Sequence, residues 1–312
     1  MARRSATEET QNEAPKTVLI TGASSGIGRA CALRMDRAGW QVFATVRKDS
    51  DANQLLSEAS ARLQTVFLDV TNADQVEETA RAVAEAVGAN GLHGLVNNAG
   101  IAGGGLLEFM DPADFRQVLE TNTIAPLTVT QSFIPLLRKA QGRILMISSQ
   151  AGFSSTPLLS PYSASKFALE ALTDGMRLEL RPWGIDVVSV QPGAVNTDIW
   201  GKARFYAEKT LRKYPPRAFE MYGPLLETMF ESLQQPRGVD PEKVAQTVQM
   251  ILSASRPRAR YLVGRDAVFR RWIERLPTAL RDKIIQGRMP KFGTAAVPQS
   301  NFRESRRERK VK

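Results

Sequence analysis

The sequence predicts an α/β fold: a doubly wound, seven-stranded parallel sheet with helices on both faces, plus a C-terminal helical extension. Three observations predict it. Seven short β-branched or apolar runs recur between residues 17 and 263, alternating with stretches of helical periodicity. The runs are nearly continuous in apolar residues, as strands buried on both faces are. The first run leads straight into a glycine-rich turn and a helix-like stretch.

Taken in order, the first strand is 17–21 (TVLIT), followed by the turn TGASSGIG at 21–28 and the helix-like RACAL at 29–33. The second strand is 41–46 (QVFATV) and the third 65–68 (TVFL). A helical pattern over 73–87 separates the third from the fourth, 92–97 (LHGLVN). The fifth strand is 143–148 (RILMIS), a helix covers 164–180, the sixth strand is 186–191 (DVVSVQ) and the seventh 261–263 (YLV). There is no internal repeat and no interdomain linker. The expected organisation is a disordered segment over 1–15, one sheet-containing domain over 16–266, a basic amphipathic helical extension over 267–297 and a basic disordered tail over 298–312.

At 312 residues, with 43% hydrophobic and 24% charged residues, the composition suits a globular chain with a sizeable core. No apolar run reaches the ~18–20 residues of a membrane span. The polar opening MARRSATEETQNEAPK has no apolar stretch of the secretory kind, so the expectation is a cytoplasmic protein. A single cysteine, Cys31, excludes an internal disulfide framework and reads as a small helix core residue. The net charge of +10 is a local property: residues 256–312 hold 17 Lys+Arg against 5 Asp+Glu, and the rest is near neutral at 25 against 27. With no recognised module in that tail, no nucleic-acid partner is expected. His93 is the only histidine, which leaves Ser-His-Asp catalysis and histidine metal sites little to work with. It reads as strand entry or surface, and no metal is expected.

The turn at 21–28 carries chemistry. A pyrophosphate must approach backbone N–H groups at a helix N-terminus, where partial positive charge is available. A side chain at Gly22, Gly26 or Gly28 would obstruct the turn, the phosphate approach or the helix–strand packing. Ser24, Ser25 and Ile27 complete the cradle. An acidic residue ending the second strand would take the ribose hydroxyls of NAD. Here the strand ends Thr45-Val46-Arg47-Lys48. Arg47 suits a 2′-phosphate, so NADP(H) is favoured, with NAD(H) as the alternative. Asp69, ending the third strand, either meets the adenine amino group or makes a turn.

At the other end, Tyr162 and Lys166 lie four apart, one turn along a helix face. A phenol ionises near pH 10, and a nearby ammonium is expected to lower that value and make two-way proton transfer practical. Ser149, at the end of the fifth strand, is placed where ligands bind in open α/β sheets.

These motifs together resemble the short-chain dehydrogenase/reductase superfamily, in its single-domain branch, and the fold is then Rossmann-type. The likeness covers about residues 15–265. It runs through TGASSGIG (21–28), LDV (68–70), NNAG (97–100), Asn122, Ser149, YSASK (162–166) and PGAVNT (192–197). The resemblance implies that Tyr162 is the general acid/base and that Lys166 holds the nicotinamide ribose. It implies that Ser149 polarises the substrate oxygen and that Asn122 anchors a water relaying protons from Lys166. It also implies that Val70, Asn98, Ala99 and Gly100 line the cofactor, and that Pro192, Gly193, Val195 and Thr197 contact its nicotinamide end.

VFATVRK at 42–48, PGAVNTDIWGK at 192–202 and the long segment over 195–235 further resemble the retinol and hydroxysteroid dehydrogenase-like group. That implies an NADP(H)-dependent enzyme acting on an alcohol, ketone or aldehyde of a lipophilic substrate. Reduction of an acyl-chain β-keto group is the alternative, as is a non-catalytic dinucleotide-binding regulator. Residues 195–235 correspond to the family's substrate lid. Its Trp200, Phe205, Tyr206, Tyr214, Phe219, Met221, Tyr222, Met229 and Phe230 suggest an apolar substrate, or else pack a helical subdomain or an oligomer interface. The basic amphipathic stretch 268–289 is able to lie on an anionic membrane surface, cap the domain or meet another subunit. Family likeness implies a homodimer or homotetramer built on helices around 111–138 and 162–181.

Overall fold

The computed structural model describes residues 14–197, 199–234, 238–287 and 289–290. Apart from residues 14 and 15, the expected disordered ends lie outside them.

The chain runs β1 (Thr17–Ile20), α1 (Gly26–Arg37), β2 (Gln41–Val46), α2 (Asp49–Leu56), β3 (Leu63–Phe67), α3 (Ala73–Val87), β4 (Gly94–Asn97). It continues through α4 (Pro112–Leu119), α5 (Ala125–Ala140), β5 (Arg143–Ile147), α6 (Ser160–Glu179), β6 (Asp186–Pro192). It ends with α7 (Ile199–Leu211), α8 (Pro216–Gln234), α9 (Pro241–Ser253), β7 (Arg260–Val263), α10 (Arg265–Ile273) and α11 (Thr278–Gln286). Local chemistry sets many of these bounds. The Asn72 side chain accepts from Gln75 N at the start of α3, and Gly88, at φ 53°, lets the chain leave that helix. Asp111 before Pro112 and Asp240 before Pro241 each cap a helix whose first position suits proline.

All seven strands pair in parallel, in the order β3-β2-β1-β4-β5-β6-β7. This is the doubly wound Rossmann-type sheet the sequence predicts. Side chains alternate across it. Val18 and Ile20 join Cys31, Val244 and Val248 on the face covered by α1 and α9. Leu19 points the other way, into a cluster with Phe43, Val76, Phe133 and Leu169 under α3, α5 and α6. Chain direction reverses its winding between β1 and β4, which opens a crevice at the carboxyl ends of the strands. A third, smaller cluster (Leu106, Leu158, Leu211, Tyr214, Ala218, Leu225, Leu226) holds α7 and α8 above that edge.

Most strand bounds move by one or two residues, β3 from 65–68 to 63–67, and two further shifts stand out. The fourth strand begins at Gly94 rather than Leu92, although His93 stays tied to β1, its Nδ1 accepting from Thr17 N at 3.2 Å and its N–H donating to the Thr17 carbonyl at 3.0 Å. The sixth helix starts at Ser160 rather than 164, with Pro161 in its first turn. Among the described residues no helix is long and apolar enough to cross a membrane.

Candidate active site

The glycine turn leaves β1 with Gly22 at φ +67° and Gly26 at φ +57°, conformations that favour glycine. A Cβ on Gly28 would fall 2.3 Å from the Gly22 carbonyl oxygen and 2.4 Å from Asn98 Nδ2. Gly28 therefore serves helix–strand packing behind the cradle and does not line it. Thr21, which sequence reasoning passed over, ties the turn to β4: its Oγ1 accepts from Asn98 N at 2.9 Å and Ala99 N at 3.0 Å. Asn98 Nδ2 returns two bonds, to the carbonyls of Thr21 (2.9 Å) and Gly22 (3.0 Å). Gly22 N donates to Thr45 Oγ1 at 3.1 Å, so the end of β2 is fixed to the same turn.

These elements enclose a cavity of about 270 Å³ over the N-terminus of α1. Gly22, Ser24, Ser25, Gly26, Ile27, Arg47, Asp69, Val70, Asn98, Ala99 and Gly100 all line it. A Cβ on Gly22 would fall 2.9 Å from Ala99 Cα, so this glycine lets the turn pack against the end of β4; the glycine-rich turn opening α1 beside the cavity fits the phosphates of a dinucleotide. Asp69 Oδ1 accepts from Thr71 N (3.0 Å) and Thr71 Oγ1 (2.7 Å), which makes it a turn residue as well as a wall residue. The Thr71 backbone bond, helped by the Thr71 hydroxyl and the Arg47 charge, holds its carboxyl below the usual range despite partial burial.

Tyr162 and Lys166 stand at the other end of this cavity, on α6. Lys166 is 4% exposed. Its Nζ donates to the Ile147 carbonyl at 2.9 Å and lies 5.8 Å from the Tyr162 ring centre. Burial lowers the Lys166 ammonium to about 8, against the opposing charge of Glu170 one turn on. Tyr162 is shifted upward, mainly by burial, while its hydrogen bond with the Ser149 side chain pulls the other way. The expected lowering of the tyrosine by its lysine is thus corrected: both groups are enclosed, and enclosure penalises charge on each. Ser149 Oγ also accepts from Ala151 N at 3.1 Å, which fixes the turn after β5.

Asn122 is fully buried in a π-turn, Glu120–Ile124, that joins α4 to α5. Its Oδ1 accepts from Ile101 N (2.8 Å), and its Nδ2 donates to Ile101 O (2.9 Å) and Ser165 Oγ (3.0 Å). It therefore touches the residue before Lys166 and braces α6 against the loop after β4.

A second cavity, about 450 Å³, adjoins the first and shares Ile27, Ser148, Tyr162 and Thr197 with it. Pro192, Gly193 and Val195 line this second cavity rather than the first. Its apolar wall comes from Leu158, Leu159, Ala203, Ala207, Leu225, Ile273, Ile284 and Ile285.

Among the described residues, the lid aromatics do not supply that wall. Tyr214 is buried in the α7–α8 cluster, its hydroxyl accepting from Leu106 N at 2.8 Å. Tyr222 and Phe230 pack on the same cluster, and Tyr222 donates to Glu108. Phe205 (66% exposed) and Phe219 face outward. Tyr206 lines the first cavity, and Met221 is absent from both cavity walls. The side chains of Trp200 and Met229 lie outside the described residues. Of the readings open in the sequence, packing of a helical subdomain describes Tyr214, Tyr222 and Phe230. Sequence reasoning missed α10 and α11 as cavity walls, because that contact joins segments more than a hundred residues from Tyr162.

Residues 16–206 match the short chain dehydrogenase family. The chain is 36% identical over 286 residues to mouse (Mus musculus) retinol dehydrogenase 5, covering 88% of this chain and 89% of that protein. It is 34% identical over 274 residues to the NADPH-dependent 3-dehydrocapnine reductase of Ornithobacterium rhinotracheale, covering 85% and 94%. Among solved structures it is similar to a short-chain dehydrogenase from Streptomyces avermitilis, with TM-score 0.71, 29% identity, and coverage of 88% of this chain and 96% of that one.

Proposed function

The chain belongs to the short chain dehydrogenase family and is an oxidoreductase acting on CH–OH groups with a nicotinamide dinucleotide; on that premise we propose that it interconverts an alcohol and a ketone or aldehyde of a lipophilic substrate, with NADP(H) as cofactor and Tyr162 as acid/base. One observation carries the reading: Tyr162 sits on the seam between the dinucleotide cavity and the apolar one.

The nicotinamide supplies or accepts the hydride. The rest is done by the protein. The Tyr162 hydroxyl gives its proton to the carbonyl oxygen in reduction and takes one back in oxidation. Ser149, already bonded to that phenol, orients the same oxygen. Lys166 holds the cofactor ribose from beneath the tyrosine. Asn122 keeps α6 in register. Arg47, on the rim beside Asp69, receives a 2′-phosphate, which is the basis for NADP(H). The apolar cavity is of a size that encloses a small lipophilic molecule, within the ~300–1,000 Å³ of ordinary ligand pockets.

Tyr162→Phe is expected to cut turnover by about a hundredfold or more while NADPH affinity stays nearly intact. Retained turnover would remove the tyrosine from the proposal. Wild-type protein that binds NADPH yet turns over no alcohol or carbonyl of a broad panel would be a regulator instead. Arg47→Asp is expected to move preference toward NADH, read as the ratio of the two affinities; an unchanged ratio means Arg47 does not read the phosphate.

We also propose a homodimer or homotetramer built on α4–α5 and α6, where Ile124, Phe167 and Leu178 are exposed apolar residues. The working protein is cytoplasmic, with peripheral membrane contact through 268–289.

A further inference from the structure

We infer that Asp266 is a positioning residue for the reaction: its carboxylate fills the space a side chain would take at Gly193, and it holds the 192–195 loop, a wall of the apolar cavity, in its working place. This rests on the oxidoreductase reading above and adds a residue to the same site.

The loop after β6 is pinned along its backbone. Gly193 N donates to the Val263 carbonyl at 2.9 Å, and the Ala194 carbonyl accepts from Val239 N at 2.9 Å. Ala194 N donates to Asp266 Oδ2 at 2.6 Å, a short bond to a charged acceptor. Both backbone polar groups of Ala194 are thus engaged, one by the chain before α9 and the other by a side chain of α10. A Cβ on Gly193 would fall 2.2 Å from each carboxylate oxygen of Asp266. The backbone at Gly193 is not in the left-handed region, so its conformation does not call for glycine. The carboxylate does. Family likeness assigns Gly193 to the nicotinamide end, but the side chain it lacks makes room for Asp266.

The latch joins two parts of one chamber. Pro192, Gly193, Ala194 and Val195 line the cavity that Tyr162 also lines. Ile273, about two turns along α10 from Asp266, lines it from the helix. Asp266 is not itself a wall residue, so it acts on the cavity through the Ala194 amide. It lies in the first turn of α10, where the helix dipole favours a carboxylate, and so steadies the helix it attaches. At the other end of α10, Arg271 lies 4.9 Å from the Phe153 ring centre, in the turn that follows Ser149. Asp266 and Arg271 together fasten one helix to the loops after β6 and β5. A loop released from that fastening would let the reacting groups drift apart, and small misplacements cost rate steeply.

The experiment compares Asp266→Ala, which removes the acceptor, with Asp266→Asn, which keeps an oxygen for Ala194. Amide hydrogen exchange at Ala194 needs no turnover. It should quicken about tenfold in Asp266→Ala and change little in Asp266→Asn. With decanal and a long-chain methyl ketone as probe carbonyls, kcat/KM should fall about tenfold or more in Asp266→Ala. NADPH affinity should stay within about threefold, since the phosphates meet the glycine turn that opens α1. Asp266→Asn should recover most of the lost kcat/KM. Assays run well below each variant's melting temperature, so that lost folding is not read as lost positioning. Gly193→Ala should cost about as much as Asp266→Ala, and adding it to Asp266→Ala should cost little more. Unchanged kcat/KM or unchanged Ala194 exchange in Asp266→Ala overturns the proposal, as do additive losses in the double variant. Faster exchange in Asp266→Ala, together with a wild type that turns over no carbonyl, keeps the latch and counts against the oxidoreductase reading instead.

Discussion

At the scale of single residues, the pairing of Tyr162 with Lys166 sets a direction as well as a reaction. Lys166 discharges at about 8, whereas burial holds Tyr162 above its ordinary ionisation near pH 10. The ammonium is therefore gone before the phenol ionises, and in the free protein the tyrosine keeps its proton through neutral pH. The protonated phenol is the form that donates in ketone reduction, and the phenolate is the form that accepts in alcohol oxidation. It follows that kcat/KM for reduction stays level from about pH 6 to 9, while kcat/KM for oxidation climbs through the same range. An ultraviolet titration comparing wild type with Tyr162→Phe isolates the same event and should show no phenolate from Tyr162 below about pH 10. A reduction profile that falls near neutrality, matched by phenolate absorbance there, would mean that the lysine does lower the tyrosine.

At the scale of elements, what was legible in the sequence was what is local. All seven strands are apolar runs of four to seven residues, and the glycine turn and the Tyr162–Lys166 spacing each fit within one turn of chain. Their geometry follows from neighbours along the backbone, so reading them needs no knowledge of the tertiary structure. The strand ends were less legible. Leu92 and His93 have strand-like character and His93 bonds to Thr17 of β1, yet the strand proper starts at Gly94. The lid shows the limit more sharply. Composition announces many aromatics over 199–230 and says nothing of which helix face each occupies. Tyr214 and Tyr222 turned out to hold the lid together, and small or aliphatic residues such as Ala203, Ala207 and Leu225 face the cavity. Asn122 was legible as a lone asparagine within a likeness, but its work is done through a π-turn and three hydrogen bonds to residues distant in sequence that no spacing encodes.

For the whole molecule, charge and shape are unevenly distributed, and the unevenness falls in one place. Residues 256–312 carry 17 basic against 5 acidic side chains. Within that segment α10 leaves Val268, Phe269 (53%) and Trp272 (64%) exposed, and Arg270 and Ile273 of the same helix line the apolar cavity. Arg275 lies 5.4 Å from the Trp272 ring centre, the amphipathic pairing that suits a headgroup layer. A lipophilic substrate and an anionic surface would then meet the protein on the same side. Each basic residue near such a surface contributes about 1 kcal/mol at physiological salt, and the attraction decays within a Debye length. The full chain should therefore sediment with phosphatidylglycerol–phosphatidylcholine vesicles at least tenfold more than with phosphatidylcholine alone, and about 0.5 M salt should remove most of the difference. Trp272→Glu combined with Phe269→Glu should weaken the association further, by taking away the apolar insertion and adding like charge to the lipid. Equal sedimentation with both vesicle types, or binding indifferent to the two substitutions, would instead assign the exposed face of α10 to another subunit.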